Sequence, residues 1–354
     1  MGLKTAAAFE SVPNFSTADP ELVGRLRDAA GGLCIDVHSD QAHGRTVLTL
    51  VAASLPELLD RLFRLTQLAS TLIDLRAEKG VHPRVGAADV IPIVALGSAA
   101  RAEAAAAARS LASRIWEDMG LPTFLYGGAS LSSPPTRLAD IRHHRAAPDF
   151  GGPELDPRAG AVCVGERPPL VAYNVTLPGL EAAVSARAVR ALRRLPGVQA
   201  LAFGEQLSMN LTELGAAGIV EARAVAASFA TGPVLEELVG LCPAAQAISP
   251  AADGALLEGR IAGAAASRLL APPHNSRRRR EVAAALGAMS ADLDAQRNGC
   301  ETILALLAEH QGQDPYLEPD LALLSVAIEG LLLSLPPAAQ GRLRARLQAV
   351  GRTS

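Results

Sequence analysis

The sequence predicts a mixed α/β (α+β) protein with two βαββαβ subdomains and a C-terminal helical appendage. Strand-like and helix-like periodicities alternate in the order βαββαβ over the first 95 residues, and the same order returns between residues 170 and 241. After the Pro-Pro pair at 272–273 the pattern becomes helical. Such a duplication is typical of ferredoxin-like sandwiches, in which helices cover one face of each sheet. The expected domains are residues 1–178, 179–271 and 272–354. A cleft between the first two is the expected ligand site.

The elements of the first repeat follow from apolar spacing and capping signals. Asp19 followed by Pro20 predicts the start of a helix, and Leu58, Leu62 and Leu65 keep the spacing of one helix face. In chain order, the predicted elements are a strand at 6–12, a helix from 20 to about 30, strands at 33–38 and 46–52, a helix from 55 to about 79, and a strand at 90–96.

The second repeat has weaker signals in the same order. Its predicted elements are a strand at 170–177, a helix at 180–195, strands at 198–203 and 207–211, a helix at 218–230, and a strand at 234–241. Between the repeats we expect a helix at 99–119, a strand at 123–126 and a loop-rich stretch at 130–160. Long loops inside a compact domain are usually functional or flexible, so we expect part of this stretch to line the cleft.

Composition excludes several classes of protein. The chain has 354 residues, of which 49% are hydrophobic and 3% aromatic, and its formal net charge is −3. It can bury a large core, but it lacks the charge and the rings of a nucleic-acid binder. Its four cysteines show no CxxC spacing, which predicts neither disulfides nor a zinc site and favours a reducing cytoplasm. The longest apolar run, 321–335, is too short to span a membrane, so we expect no membrane partner.

The densest polar cluster lies between the second and third predicted strands. Its members are Asp36, His38, Asp40, His43 and Arg45. A simple hairpin turn needs far fewer titratable groups. The alternative interpretation is a solvated loop.

A second cluster, His82-Pro83-Arg84 with Asp89, precedes an apolar strand. Pro83 restricts His82 to extended geometry and fixes its own φ, so the imidazole and the guanidinium leave the backbone in defined directions. This geometry suits a proton-transfer group, although a purely structural histidine is the alternative.

A third segment, residues 159–169, has two glycines around a short apolar run. Glycines would let a flat ligand approach the backbone closely. Taken alone, the segment favours a glycine-containing hairpin. No dinucleotide, P-loop or zincin motif occurs in the sequence.

Together these segments resemble the formiminotransferase family, the folate-dependent glutamate formiminotransferases that also form the N-terminal part of formiminotransferase-cyclodeaminase. The matching pieces occur in family order at residues 11–16, 36–47, 80–92, 125–127, 148–151, 158–175, 206–211 and 237–241. The resemblance implies two α/β subdomains around an electropositive cleft. It also implies transfer of a formimino group between N-formiminoglutamate and tetrahydrofolate, which is the co-substrate.

The resemblance assigns site residues one by one. The family's catalytic histidine falls on His82, which we expect to shuttle a proton. Its folate-binding segment falls on Gly160, Ala161, Val162, Cys163, Val164, Gly165, Glu166, Arg167, Pro168 and Pro169. The remaining candidates are expected to orient His82, bind the pterin ring or substrate amine, pair with a carboxylate, or contact the ligand from a strand. They are Asp36, Asp40, His43, Arg45, Arg84, Asn174 and Asn210.

The chain also departs from the family pattern. Gly44, Val81 and Glu166 stand where the family commonly has Asn, Glu and Ala. A carboxylate at 166 is expected to repel an anionic folate tail or to bind a different amine. The tail after Pro272 does not resemble a cyclodeaminase, so no deaminase activity is expected. Residues 321–335 are expected to pack against the main domain or a second subunit, which would give a homodimer.

Several alternatives remain open from the sequence. One keeps the fold but moves a formyl group from 5-formyltetrahydrofolate to glutamate, or a formimino group to another amine. Another has Asp36, His38, Asp40, His43 and His82 bind a metal ion, although none is expected from the family. The last is a catalytically silent folate-binding protein.

Overall fold

A computed structural model of the chain describes residues 7–243 together with 260–261, 264, 323, 326–330 and 340. The chain divides into two compact units, Thr5–Pro168 and the part that follows from Pro169. The structure therefore changes unit at Pro168, whereas the sequence suggested residue 178. Most of the predicted appendage at 272–354, including most of the proposed dimer segment, lies outside the described residues.

The first unit contains a seven-stranded mixed sheet. Its strands are β1 (Ala7–Ser11), β2 (Asn14–Phe15), β3 (Cys34–Asp40), β4 (Arg45–Ala52), β5 (Ala88–Gly97), β6 (Thr123–Gly127) and β7 (Val162–Glu166). Both β1 and β2 lie between β4 and β5 and are antiparallel to them. Strand β3 pairs with the outer side of β4, and β5, β7 and β6 run parallel in that order.

Three long helices cover one side of this sheet. The four helices of the unit are α1 (Pro20–Ala30), α2 (Leu55–Leu72), α3 (Arg101–Met119) and the short α4 (Leu138–Arg142). Helix α1 starts as predicted, because the Asp19 carboxylate accepts hydrogen bonds from the N–H groups of Glu21 and Leu22. The apolar sides of α1, α2 and α3 form one core with the sheet.

Helix α2 ends earlier than predicted. Instead of continuing to residue 79, it stops at Leu72, and Asp74 then begins a tight turn in which its carbonyl accepts from Ala77. The N–H of Leu75 donates to the carbonyl of Arg158, at 2.9 Å. This long-range contact draws the chain out of the helix, and local periodicity carries no signal for it.

The hairpin predicted for residues 159–169 is wrong. Residues 162–166 form β7, a strand in the middle of the parallel part of the sheet. Its Cys163 lies opposite Val90 of β5 and Phe124 of β6. All five residues of β7 are buried. A parallel strand covered on both faces reads as a continuous apolar run, so its sequence lacks the alternation that marks other strands.

The two sides of the sheet differ in polarity. Leu48 and Leu50 of β4 face the helices, and successive side chains of a strand point to opposite sides. The side opposite α1, α2 and α3, here called the polar face, therefore carries Asp36 and Asp40 of β3, Arg45 of β4 and Glu10 of β1. Beside β5, helix α4 covers part of this face through Ile141, which packs among apolar side chains of β5, β6 and β7.

The second unit contains a four-stranded antiparallel sheet. Its elements are β8 (Val171–Thr176), α5 (Ala182–Leu192), β9 (Val198–Phe203), β10 (Gln206–Leu211), α6 (Ile219–Ala227) and β11 (Leu235–Val239). The strand order is β11, β8, β10, β9, and the helices bury their apolar sides against one face. The element order βαββαβ matches the sequence prediction. The α+β class is confirmed, while the comparison with ferredoxin-like proteins stays a prediction.

In the described part of the chain, no helix has both the length and the apolar character needed to cross a membrane. The same residues contain no group of three or more His, Cys, Asp or Glu side chains arranged to hold a metal ion.

Candidate functional site

Arg45 is the centre of the polar face of the first unit. It opens β4, and its Nε donates to Asn14 Oδ1 at 2.9 Å. Its Nη2 lies 2.7 Å from Asp89 Oδ2, and its Nη1 lies 3.0 Å from His82 Nδ1. The guanidinium is thus engaged on three sides, and it ties the sheet to the loop that carries His82.

Asp89 fixes the other side of that loop. Its carboxylate is fully buried and accepts hydrogen bonds from the N–H groups of Val85, at 2.5 Å, and Gly86, at 3.3 Å. Its Oδ2 also lies 3.4 Å from Nη2 of Arg142, which comes from α4. Burial raises the pKa of Asp89, but Arg45, Arg142 and the Val85 N–H together hold that pKa below its usual value. An ionised Asp89 therefore holds two arginines and the end of the His82 loop.

His82 is half-buried beside these charges. Burial, together with the positive charges of Arg45 and Arg142, lowers the pKa of His82 to about 4. Its Nδ1 lies 2.7 Å from the carbonyl oxygen of Pro83. Nδ1 donates to the Pro83 carbonyl in one tautomer and accepts from Arg45 Nη1 in the other, and either tautomer of the neutral ring keeps one nitrogen lone pair. At neutral pH the imidazole is therefore in the form that can take up a proton.

A second histidine is held next to the first. Asp40 at the end of β3 accepts from the backbone N–H of His43 at 3.0 Å and lies 2.7 Å from its Nδ1. Burial raises the pKa of Asp40, but its contacts with His43 and the N–H of Ala42 together hold that pKa below its usual value. The His43 and His82 ring centroids are 6.3 Å apart, with the planes tilted by 59°. The structure thus brings together the two polar clusters that lie far apart in sequence.

The two loops that carry these histidines interlock through glycines. Gly44 has φ 59°, and a Cβ there would come within 2.0 Å of the carbonyl oxygen of Lys79. Gly80 has φ 144°, and its Cβ would come within 2.4 Å of the carbonyl oxygen of His43. Between them, the N–H of Val81 donates to the carbonyl of Ala42 at 3.3 Å. Any side chain at either glycine must push the loops apart.

Replacing Gly44 with Asn, the residue common in the family, tests this contact. Asn tolerates a left-handed backbone, so the main cost is the clash with Lys79, which we expect to destabilise the protein by about 1–3 kcal/mol. Urea unfolding followed by circular dichroism measures it. Gly204→Asn is the matched control, because Gly204 has φ 61° with no atom within 4 Å of its Cβ position. Equal destabilisation by both substitutions would show that backbone conformation, not close approach, is the cause.

The segment predicted to bind folate is largely inside the sheet. Val162 and Val164 face the helices, Ala161 and Cys163 face α4, and all four side chains are fully buried. Only the backbone of these four residues, and not their side chains, is left to meet a ligand, and the folate-binding role of the segment stays a prediction. The partly exposed residues are Arg167, Pro168 and Pro169 at the end of the segment, while Gly160 and Gly165 are buried.

Glu166, for which the sequence suggested a ligand-repelling role, is buried and paired within the first unit. Its side chain is 2% exposed, and Arg101 at the start of α3 binds it in a bidentate pair, with Nε–Oε1 2.6 Å and Nη2–Oε2 3.0 Å. The carboxylate therefore meets the helix that covers the sheet, and its charge is balanced there.

The remaining predicted site residues are placed as follows. Asp36 lies opposite Thr49 on the polar face. Arg84 donates weakly to the carbonyl of His43, at 3.5 Å. Asn174 and Asn210 belong to the second unit, where Asn174 donates to Glu237 Oε2 at 3.0 Å and Asn210 is exposed on β10.

Sequence reasoning gave no site role to four residues of the polar face, although it had named Asp89 in the second cluster: Asn14, Asp89, Arg142 and Glu10. Asp89 stands in the His-Pro-Arg segment and Asn14 in another matching piece, so a signal existed for both. Arg142 lies in the loop-rich stretch, where no motif in the neighbouring sequence indicates a functional role for it. Glu10 is a 7% exposed carboxylate on a central strand; burial raises its pKa and Arg167 lowers it.

Comparisons with known proteins give matches that cover the first unit. A family model described as the formiminotransferase domain, N-terminal subdomain, matches residues 8–167, which include the whole polar face. The glutamate formimidoyltransferase of Thermoplasma acidophilum is 36% identical over 267 residues, covering 66% of this chain and 88% of that protein. The enzyme of the same name from Streptococcus pyogenes is 33% identical over 49% of this chain and 63% of its own length. The formimidoyltransferase-cyclodeaminase of Gallus gallus is 34% identical over 49% of this chain, but the match spans only 35% of that protein.

Proposed function

The chain belongs to the formiminotransferase family, and from this we propose that it transfers a formimino group between N-formiminoglutamate and tetrahydrofolate, with His82 moving the proton. The observation that supports the role of His82 is its contact with Arg45. That contact and the buried Asp89 hold a neutral imidazole at a fixed place on the polar face. The reaction requires such a group.

The proposed reaction balances without any oxidant or reductant. A nitrogen of tetrahydrofolate attacks the amidine carbon and forms a new C–N bond, while His82 takes the proton that this nitrogen loses. The tetrahedral intermediate then breaks its C–N bond to glutamate as His82 returns the proton to the departing amine. One imidazole can perform both transfers in turn because its neutral form is a base and its charged form is an acid.

Other residues of the face have supporting roles in this proposal. Arg45 positions His82, and Asp40 with His43 forms a polar wall beside it, near the reacting nitrogens. Asp36 and the end of the folate segment, Arg167 to Pro169, are proposed contacts for the pterin. Asn174 and Asn210 of the second unit are also proposed contacts for the ligand.

The wider setting is also part of the proposal. We place the protein in the cytoplasm as a homodimer that binds small molecules and neither nucleic acid nor membrane. The lack of paired cysteine spacing supports the cytoplasmic location, and the formal net charge of −3 supports the expectation that no nucleic acid binds. The domain limits 1–178, 179–271 and 272–354 are also part of the proposal. The first compact unit of the structure ends at Pro168, before the first of these limits.

The direct test is an assay with purified protein, tetrahydrofolate and N-formiminoglutamate, following the formimino-folate product. Turnover is the expected result. A parallel reaction with 5-formyltetrahydrofolate and glutamate examines formyl transfer. Folate binding with no transfer in either reaction would contradict the proposal and favour a silent folate-binding protein.

The protonation state of His82 can be measured without turnover. Its pKa is lowered to about 4, so the neutral ring is expected at pH 5 and above, and is lost only as the pH falls through that value. Nuclear magnetic resonance of histidine-labelled protein follows each ring, and the His82 resonance is the one that disappears in His82→Ala. A His82 midpoint near the ordinary value of about 6.5 would contradict the environment described here.

A further inference from the structure

Two arginines bind a single buried carboxylate beside His82, and a third arginine lies near one of them. Arg45 and Arg142 lie 2.7 and 3.4 Å from Asp89 Oδ2. Arg84 approaches from the interlocked loops and is close enough for its charge to lower the pKa of Arg45. Asp89 balances one of these charges, and the nearby Asp40 carboxylate is already bound by His43. The cluster therefore has an excess of positive charge.

Two donors in this cluster lack an acceptor. Arg84 Nη1 and Arg142 Nε are buried and have no hydrogen-bond partner. A buried donor without an acceptor is costly, and the cost is larger for a charged group. Arg45, in contrast, already directs its three nitrogens at Asn14, Asp89 and His82. Within this cluster, Arg84 and Arg142 therefore have N–H donors available for a further acceptor.

We propose that Arg84 and Arg142 form the subsite for the α-carboxylate of the glutamyl substrate, with Arg142 as a specificity-determining residue. This inference rests on the proposed function. Planar guanidinium groups suit carboxylates because they can donate two parallel hydrogen bonds. Helix α4 and the loop-rich stretch thereby acquire a role, since they bring Arg142 to the polar face.

The chemistry of the substrates selects this carboxylate. In N-formiminoglutamate the α-carboxylate is attached to the carbon that bears the reacting nitrogen, so it must lie close to that nitrogen. The glutamyl carboxylates of folate are separated from the reacting nitrogens by an aromatic ring and an amide. A cluster next to His82 is therefore in reach of the amino acid's own α-carboxylate when the nitrogen is at His82.

Binding of this carboxylate also has a consequence for His82. The positive charges of Arg45 and Arg142 contribute to the lowered pKa of the imidazole. A bound carboxylate offsets part of that charge, so His82 holds a proton more readily with substrate present than without it. The acid form that must protonate the departing amine is then favoured only in the complex.

Titration calorimetry with two small probes tests the subsite. Glutamate carries the α-carboxylate, and 4-aminobutyrate keeps the amine and the other carboxylate but lacks it. Each is titrated into the full chain with and without 5-formyltetrahydrofolate. We expect the wild type to prefer glutamate by about 10- to 100-fold, and Arg142→Gln to remove most of that preference, as is typical of a charged hydrogen bond.

Three controls make the result specific. Arg145→Gln changes an exposed arginine of the same loop and should leave the preference intact. Arg142→Lys keeps the charge but loses the planar fork, so it should restore the preference only in part. In wild type, glutamate should raise the His82 midpoint seen by magnetic resonance, and Arg142→Gln should reduce that rise.

The outcomes are distinct. An unchanged preference for glutamate in Arg142→Gln, or a wild type that binds both probes equally, overturns the subsite. Loss of affinity for tetrahydrofolate but not for tetrahydropteroate, which lacks the glutamyl group, would assign the arginines to the folate tail instead. Failure of the transfer assay with the glutamate preference intact would overturn the proposed function and leave the subsite standing.

Discussion

Replacing His82 with Ala is expected to lower the rate of formimino transfer by about 10²- to 10⁴-fold, the usual contribution of a positioned general acid and base. The substitution removes the group that accepts and returns the proton. It leaves Arg45 with its contacts to Asn14 and Asp89, so the polar face should keep its shape. Steady-state kinetics with tetrahydrofolate and N-formiminoglutamate measure the loss, and it should appear in kcat more than in KM.

Two further measurements separate chemistry from folding in this variant. The affinity for 5-formyltetrahydrofolate should change little, and added imidazole should restore part of the rate. His143→Ala is the matched control, because His143 is an exposed histidine of the same unit. Near-normal turnover in His82→Ala would refute the proposed role.

The second large effect is expected for Asp89→Asn. The amide keeps the size of the side chain but removes the charge that balances Arg45 and Arg142. Breaking a buried ion pair by removing one partner typically costs about 3–5 kcal/mol, because the remaining charge is left buried and uncompensated. Unfolding in guanidinium chloride should show this loss of stability, while the slope of the unfolding free energy against denaturant concentration stays unchanged. Formimino transfer should also fall, because Arg45 and the His82 loop lose their anchor.

Asp118→Asn is the control for Asp89→Asn. Asp118 forms an exposed ion pair with Arg114 on α3, so its loss should cost at most about 1 kcal/mol. The pH dependence gives an independent check. Because the pKa of Asp89 is lowered in the folded state, its contribution is present above the unfolded value and is lost as the pH falls through the folded value. The stability difference between wild type and Asp89→Asn should therefore narrow in acid, and a constant difference would contradict this account.

Much of the fold was predictable because its signals are local. Alternating and helical periodicities placed most strands and helices of both units, though not β2 or α4, and Asp19 with Pro20 marked the start of α1. Strand β7 was missed because it is buried on both faces and contains Gly165, so it shows no alternation. The end of α2 was missed because a contact with Arg158 decides it.

The residues of the candidate site likewise divide into those that a local sequence pattern indicated and those that tertiary packing brings in. His82 and Arg45 stand in two dense polar clusters, and the pairing of the strands explains why those clusters meet. Arg142 is brought from a loop by tertiary packing, and no pattern around it in the sequence points to His82. The burial of residues 161–164 was likewise hidden, since a matching motif gives the position of a segment but not the side of a sheet that it faces.

The placement of β1 and β2 between β4 and β5 has a consequence for synthesis of the chain. These strands leave the ribosome before their partners, since β4 ends at residue 52 and β5 at residue 97. Until both have emerged, the central strands of the sheet have unpaired backbone groups, which favour association with other chains. Asn14 can orient Arg45 only once β2 has docked between β4 and β5, so the polar face is completed only after β5 has been synthesised.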